Sequence, residues 1–170
     1  FQYIIDNPKQ DLHLNVTSNM CPPDKKLKEK YFNMAQEICM QDKVEHMMQF
    51  VSVDAWGKRA EYIRNGLDFN YMMDNVEEFL DRIPVRNSIT FICTYNNLSI
   101  TSMDKLLEKI LELRTKYSKT YQRIWFDVPL LRQPTWQQIT LLPESYQMIH
   151  EDNIEYMQKH SGNDNGYSKF

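Results

Sequence analysis

Side chains able to hold a small polar ligand gather at the ends of four short runs that are rich in β-branched and aromatic residues. Residues 12–17 lead into Thr17, Ser18 and Asn19, and residues 47–53 lead into Ser52 and Asp54. Residues 88–95 close with Thr94 and Asn96, and residues 123–128 carry Asp127. Hydroxyl, amide and carboxylate groups of these types bind the hydroxyls and amines of a ligand by hydrogen bonding. The same types cap the helices that follow strands, so each position has a structural use that competes with a binding one.

Other reactive side chains show no arrangement that performs chemistry. Cys21, Cys39 and Cys93 have neither zinc nor cluster spacing, and they read as reduced, mostly buried thiols. His13, His46, His150 and His160 form no i, i+4 pair and no carboxylate falls in register with them, so no metal site is expected. Arg114, Lys116, Lys119 and Arg123 interleave with Tyr117 and Tyr121, a mixture used on nucleic acid, but here it reads as a solvated helix end and turn. The methionine pairs Met47-Met48 and Met72-Met73 read as core filling. Four glycines, none clustered, leave no phosphate-cradling loop.

The elements that must position these residues alternate. Helical periodicity runs over 24–40, introduced by Pro22, Pro23 and Asp24, and puts Leu27, Tyr31, Met34, Ala35 and Ile38 on one face. A second helix follows Asn70 and stops before Pro84, with a short helical turn over 58–64 ahead of it. A third, over 102–116, opens on a capping-box variant made by Thr101 and Asp104. A last helix spans 143–159, and the polar tail 161–170 is expected to be mobile. One helix in each gap between strands is the rhythm of βαβ units, so the fold class is α/β with a mostly parallel sheet. That rhythm fits both a sheet curling toward a barrel and a doubly wound sheet.

A chain of 170 residues with 42% hydrophobic content suits one core. Its net charge of −3 gives no support to a nucleic-acid partner, and no apolar run approaches the roughly 20 residues of a membrane span. Without a signal-peptide pattern a cytoplasmic location is expected. Phe1 is not an initiator methionine, so a trimmed chain or part of a longer reading frame is expected.

The order of the strand endings resembles the radical S-adenosylmethionine (radical SAM) superfamily, closest to members with a "twitch" region after the barrel. Residues 13–19, HLNVTSN, resemble the strand that ends in a TNG-like turn. Phe50-Val51-Ser52-Val53-Asp54-Ala55 resembles the VSxDG-type strand, and residues 61–69, EYIRNGLDF, are similar to the YxxxRxGxxF stretch. Asp74-Asn75-Val76 and the segment from Trp125 to Trp136 continue the likeness, which covers roughly residues 12–142. Two departures stand out, Met20 and Ala55 in place of the family's glycines.

The resemblance implies a partial, half TIM-like barrel over 1–142, followed by a C-terminal helix over 143–160 and the tail 161–170. It also implies that Thr17, Asn19, Ser52 and Asp54 touch the ribose and amino-acid parts of S-adenosylmethionine in a full-length parent. In the family a CxxxCxxC loop binds a 4Fe–4S cluster that S-adenosylmethionine chelates, giving a 5′-deoxyadenosyl radical that abstracts hydrogen from a peptide or other substrate. No such motif occurs in this chain. The expectation is therefore a fragment of a radical SAM enzyme, inactive alone and with no cofactor of its own. The alternative is a natural non-catalytic binding or assembly module that lost the cluster. A third reading, a small α/β enzyme with Asp54 or Asp127 as general base, has no evident partner residue. A half barrel leaves strand edges and an apolar face uncovered, so a homodimer that covers them is expected.

Overall fold

Each β-rich run is a strand, and each gap between strands holds at least one helix. The computed structural model of the protein describes residues 1–160, and the tail expected over 161–170 lies outside them. In chain order the elements are α1 (Gln2–Asp6), β1 (Lys9–Ser18), α2 (Lys25–Met40), β2 (Val44–Ser52), α3 (Gly57–Ile63), α4 (Phe69–Arg82), β3 (Ser88–Ile92), α5 (Met103–Tyr117), β4 (Ile124–Asp127) and α6 (Gln147–His160). Among the described residues four strands form one all-parallel sheet in the order β1-β2-β3-β4. Because every crossover steps the same way, right-handed connections carry the helices to one face.

Register and burial agree with that arrangement. Val16, Gln49, Ile89 and Ile124 form one row across the sheet, and Ser18, Val51, Phe91 and Phe126 form another. Val51, Ile89, Phe91, Ile124 and Phe126 of these rows pack into one buried cluster with Phe32, Ala35 and Ile38 of α2, Met72, Val76 and Phe79 of α4, and Leu106, Leu107 and Ile110 of α5. The intervening rows point to the opposite face, since side chains alternate along a strand. That face carries Thr17, Phe50, Thr90 and Trp125 in one row, with Met48 below and Ser52, Ile92 and Asp127 above. Met48, Phe50, Ile92 and Trp125 are each only partly buried there. Met47 thus fills the core as expected, while Met48 turns to the uncovered face.

The start signals work where their side chains reach backbone N–H groups. Asp24 accepts from the Leu27 amide at 2.8 Å and caps α2, and Asp68 accepts from the Tyr71 amide at 3.0 Å and caps α4. The capping box expected at Thr101 does not form. A 3₁₀ turn, Ile100–Ser102, precedes α5, the Thr101 hydroxyl accepts from Arg59, and Ser102 makes no side-chain cap. The last helix begins at Gln147, after a 3₁₀ turn over Glu144–Tyr146. The short helix α1 carries no pattern that distinguishes it in the sequence.

The basic stretch before β4 also differs from its reading as a solvated turn. Lys119 and Tyr121 are exposed, but Arg123 is 2% exposed. Its guanidinium donates to three carbonyls, Leu80 at 3.0 Å and Ile83 at 3.0 Å at the end of α4, and Asn87 at 3.1 Å ahead of β3. The carbonyls at a helix C-terminus lack intrahelical partners and favour a cation, which explains why a lone guanidinium lies there. Burial pushes its pKa down from the ordinary value, with the nearby Tyr117 and Asp81 opposing that shift. Asn87 completes the joint, accepting from the Met47 amide at 2.8 Å and donating to the Pro84 carbonyl at 3.2 Å. Replacing Arg123 by Ala leaves three acceptors without their donor, so urea unfolding at pH 7 is expected to show a loss of about 3 kcal/mol or more. The exposed Lys119→Ala control is expected to stay within about 0.5 kcal/mol.

Candidate functional site at the carboxyl ends of the strands

The ends of parallel strands collect polar loops on one rim, and Asp54 lies at its centre, just beyond β2. It is 6% exposed. One carboxylate oxygen accepts from the Thr94 amide at 2.9 Å, and the other accepts from Nε of Arg64 at 2.7 Å. The Cys93 thiol donates to the Asp54 carbonyl at 3.4 Å. Asp54 therefore ties the end of β2 to the end of β3 and to the residue that closes α3. Each of its oxygens holds one bond within the fold, so Asp54 positions this rim.

The turn after β1 is built by its own polar residues. Asn19 accepts from the Cys21 amide at 3.0 Å, and Ser18 accepts from the Met20 amide at 3.2 Å. Between them Met20 sits at φ 52, in the left-handed region that favours glycine. A methionine is held there because its side chain is 4% exposed and its carbonyl accepts from Asn75 at 2.7 Å. The backbone thus takes a glycine-like conformation at a methionine.

Of the four expected contact residues, Thr17 and Ser52 point to the uncovered sheet face, while Asn19 and Asp54 are engaged locally. No side-chain hydrogen bond among the described residues draws in the hydroxyl of Thr17 or Ser52. Asp127, exposed at the end of β4, shares a row with Ser52 and Ile92. Behind the turn, buried Gln49 donates to Ser18 at 3.0 Å and accepts from the Tyr31 hydroxyl, linking β1, β2 and α2. A cavity of about 280 Å³ opens beside this link, walled by Val16, Met20, Cys21, Leu27 and Phe32.

Sequence reasoning missed the polar group beyond β3. Tyr95 is 6% exposed, stacks on His150 with ring centroids 5.6 Å apart, and lies 3.2 Å from its Nδ1. Asn153 donates to the Tyr95 hydroxyl at 3.3 Å, so the phenol oxygen bonds both Asn153 and the His150 ring. His150 lines a cavity of about 560 Å³ with Ile100, Ile139, Leu142 and Glu144. Tyr95 and His150 are 55 residues apart, and no periodicity brings them together before α6 is docked.

The donor set does not suit an iron–sulfur cluster, which needs thiolates. Cys39 and Cys93 are buried and Cys21 is half-buried; burial pushes all three thiols up, Cys39 to about 12. Among the described residues no group of three His, Cys, Asp or Glu side chains is placed to hold a metal ion, and no helix is long and apolar enough to cross a membrane. The chain matches no family model, no curated protein and no solved structure.

Two histidines that looked scattered are neighbours across β1 and β2. His13 and His46 pair in register on the uncovered face, with ring centroids 6.0 Å apart. Glu45 lies 3.3 Å from His13, and Ser88 lies 3.0 Å from Nε2 of His46. Burial, then the proximity of His13 and Arg86, holds the His46 pKa below its ordinary value, with Glu45 opposing. The folded protein therefore binds fewer protons than the unfolded chain in mildly acidic solution. Stability is expected to be full above the ordinary histidine range, near pH 7, and to fall as pH drops from about 6.5 toward 5. Urea unfolding of His46→Gln across that range is expected to show a flatter profile; an unchanged slope assigns the loss to other groups.

Proposed function

We propose that this chain supplies the adenosyl-contacting rim of a radical SAM enzyme, with Thr17 and Ser52 as the groups that hydrogen-bond S-adenosylmethionine. The observation that carries this reading is the meeting of the segments that resemble the family. Asp54 of the VSxDG-like strand bonds Arg64 of the YxxxRxG-like stretch at 2.7 Å, and Met20 takes positive φ where the family's turn has glycine. Thr17 and Ser52 lie on the same sheet face at the ends of adjacent strands. A hydroxyl donates once and accepts twice, which suits ribose hydroxyls or an α-amino group. Asp54 and Asn19 hold the rim and its turn in shape.

In that family S-adenosylmethionine bound to a cluster supplies the radical chemistry. The thiols of this chain do not fit a cluster, so that part of the parent is assigned elsewhere and no step is derived through it. A second reading, a cluster-free binding or assembly module, is favoured by the engagement of Asp54 within the fold. Titration with S-adenosylhomocysteine separates the two. Amide chemical shifts are expected to move at residues 17–20 and 52–55, with affinity weakened about fivefold in Thr17→Val and in Ser52→Ala. A folded protein whose shifts stay fixed at both strand ends overturns the adenosyl reading and leaves the module.

The partly buried Met48, Phe50, Ile92 and Trp125 support a second proposal, that two copies pair so that this face becomes an interior. Sedimentation at micromolar concentration is expected to give a dimer, and a single monomeric species counts against the pairing.

A further inference from the structure

We propose a second site, independent of the adenosyl reading, that binds the phosphate group of a small organic phosphate. It is the cleft of about 630 Å³ between α3, the segment that joins β3 to α5 and the turn before α6, walled by Lys58, Arg59, Tyr62, Asn97, Thr101 and Tyr146. Its position on the carboxyl rim is where parallel α/β sheets hold ligands.

The charge of this cleft sets it apart in a chain of net charge −3. No acidic side chain lines it. Arg59 donates to the Leu98 carbonyl at 3.3 Å and to the Thr101 hydroxyl, both neutral, and no carboxylate lies within ion-pair distance of it among the described residues. These two bonds fix the guanidinium against the β3–α5 loop while its charge stays uncompensated. Lys58 is 93% exposed and pairs with Glu61 at 2.7 Å, but Glu61 is not part of the wall. The remaining wall side chains bring three hydroxyls and an amide, all able to donate.

One uncompensated guanidinium, an exposed lysine shared with Glu61 and several neutral donors match a group with three acceptor oxygens, which describes a phosphate monoester better than a carboxylate. The cleft is far larger than a phosphate group. Tyr62, 80% exposed, and Tyr146 offer ring faces to the organic part of the ligand. Large exposed aromatic side chains beside an uncompensated guanidinium are the features that a ring-bearing phosphate would cover.

Phenyl phosphate is the probe, titrated into the full chain and followed by amide chemical shifts. Saturable shifts are expected at Arg59, Asn97 and Thr101, weakening several-fold between about 20 and about 200 mM salt. Arg59→Gln, which keeps a donor for Leu98 and Thr101 but removes the charge, is expected to weaken binding about tenfold or more. Lys58→Gln alters only an exposed side chain and is expected to weaken binding by a smaller factor, so the assignment remains testable if Arg59→Gln fails to fold. Equal or tighter binding of benzoate overturns the phosphate assignment. Shifts spread evenly over lysines elsewhere, or affinity unchanged in a folded Arg59→Gln and in Lys58→Gln, overturn the site.

Discussion

A guanidinium buried without a carboxylate is what the lower end of this sheet depends on. Arg123 supplies donors to the last carbonyls of α4 and to the residue before β3, so one side chain joins the end of a helix and the starts of two strands. Its burial is tolerable because each N–H direction used meets a carbonyl, and because the end of a helix carries partial negative charge. Asn87 extends the joint to the fourth residue of β2 through the Met47 amide, so β3 and β4 begin from one hydrogen-bonded knot that also holds β2. With registers fixed there, the carboxyl ends of the same strands arrive in defined rows. The polar residues at those ends then occupy set positions without having to hold the sheet together.

The upper rim follows a different logic. Asp54, Thr94 and Arg64 form a tie of the same kind, but a partly exposed one, since a third of the Arg64 side chain reaches solvent. Around this tie the residues divide into those that build loops and those that face outward. Asn19, Ser18 and Asp54 satisfy backbone groups of their own turn or neighbouring strand. Thr17, Ser52 and Asp127 stand on the other face, where nothing in the described chain claims them in side-chain bonds. Position decides this division: Thr17, Ser52 and Asp127 are strand residues whose side chains the pleat turns outward, Ser18 has the opposite parity, and Asn19 and Asp54 lie just past the strand ends, where the turn redirects them.

How much of the molecule is legible in the sequence depends on how far along the chain each residue's partner lies. The strands, the helices α2, α4 and α5, and the cap at Asp24 follow from local pattern, because apolar periodicity and an acceptor ahead of a helix act within a few residues, whereas the sequence reading starts α4 after Asn70 and misses the Asp68 cap. The candidate residues at strand ends follow from the same reasoning, but their roles do not. Whether Asp54 serves a ligand or Thr94 and Arg64 depends on a partner 40 residues away. Arg123 read as solvated because its acceptors belong to α4 and the loop after it, and Thr101 read as a cap because Arg59 is invisible from its own neighbourhood. His13 and His46 appeared scattered for the same reason: parallel pairing joins residues separated by a whole βα unit.

Strand order places a further constraint on where any ligand sits. In a doubly wound sheet the crevice opens where the order reverses and neighbouring loops diverge. The order β1-β2-β3-β4 contains no reversal, so no such crevice exists among the described strands. Binding must then use either the uncovered sheet face or clefts between successive rim loops, and the two kinds of place differ in character. The sheet face offers hydroxyls between Phe50, Ile92 and Trp125, an environment for an apolar ring with polar edges. The cleft between α3 and the loop after β3 offers a guanidinium and hydroxyls beside two tyrosine rings, an environment for an anion that carries a ring. One rim therefore offers two kinds of place, one on the sheet face around Thr17 and Ser52 and one in the cleft around Arg59.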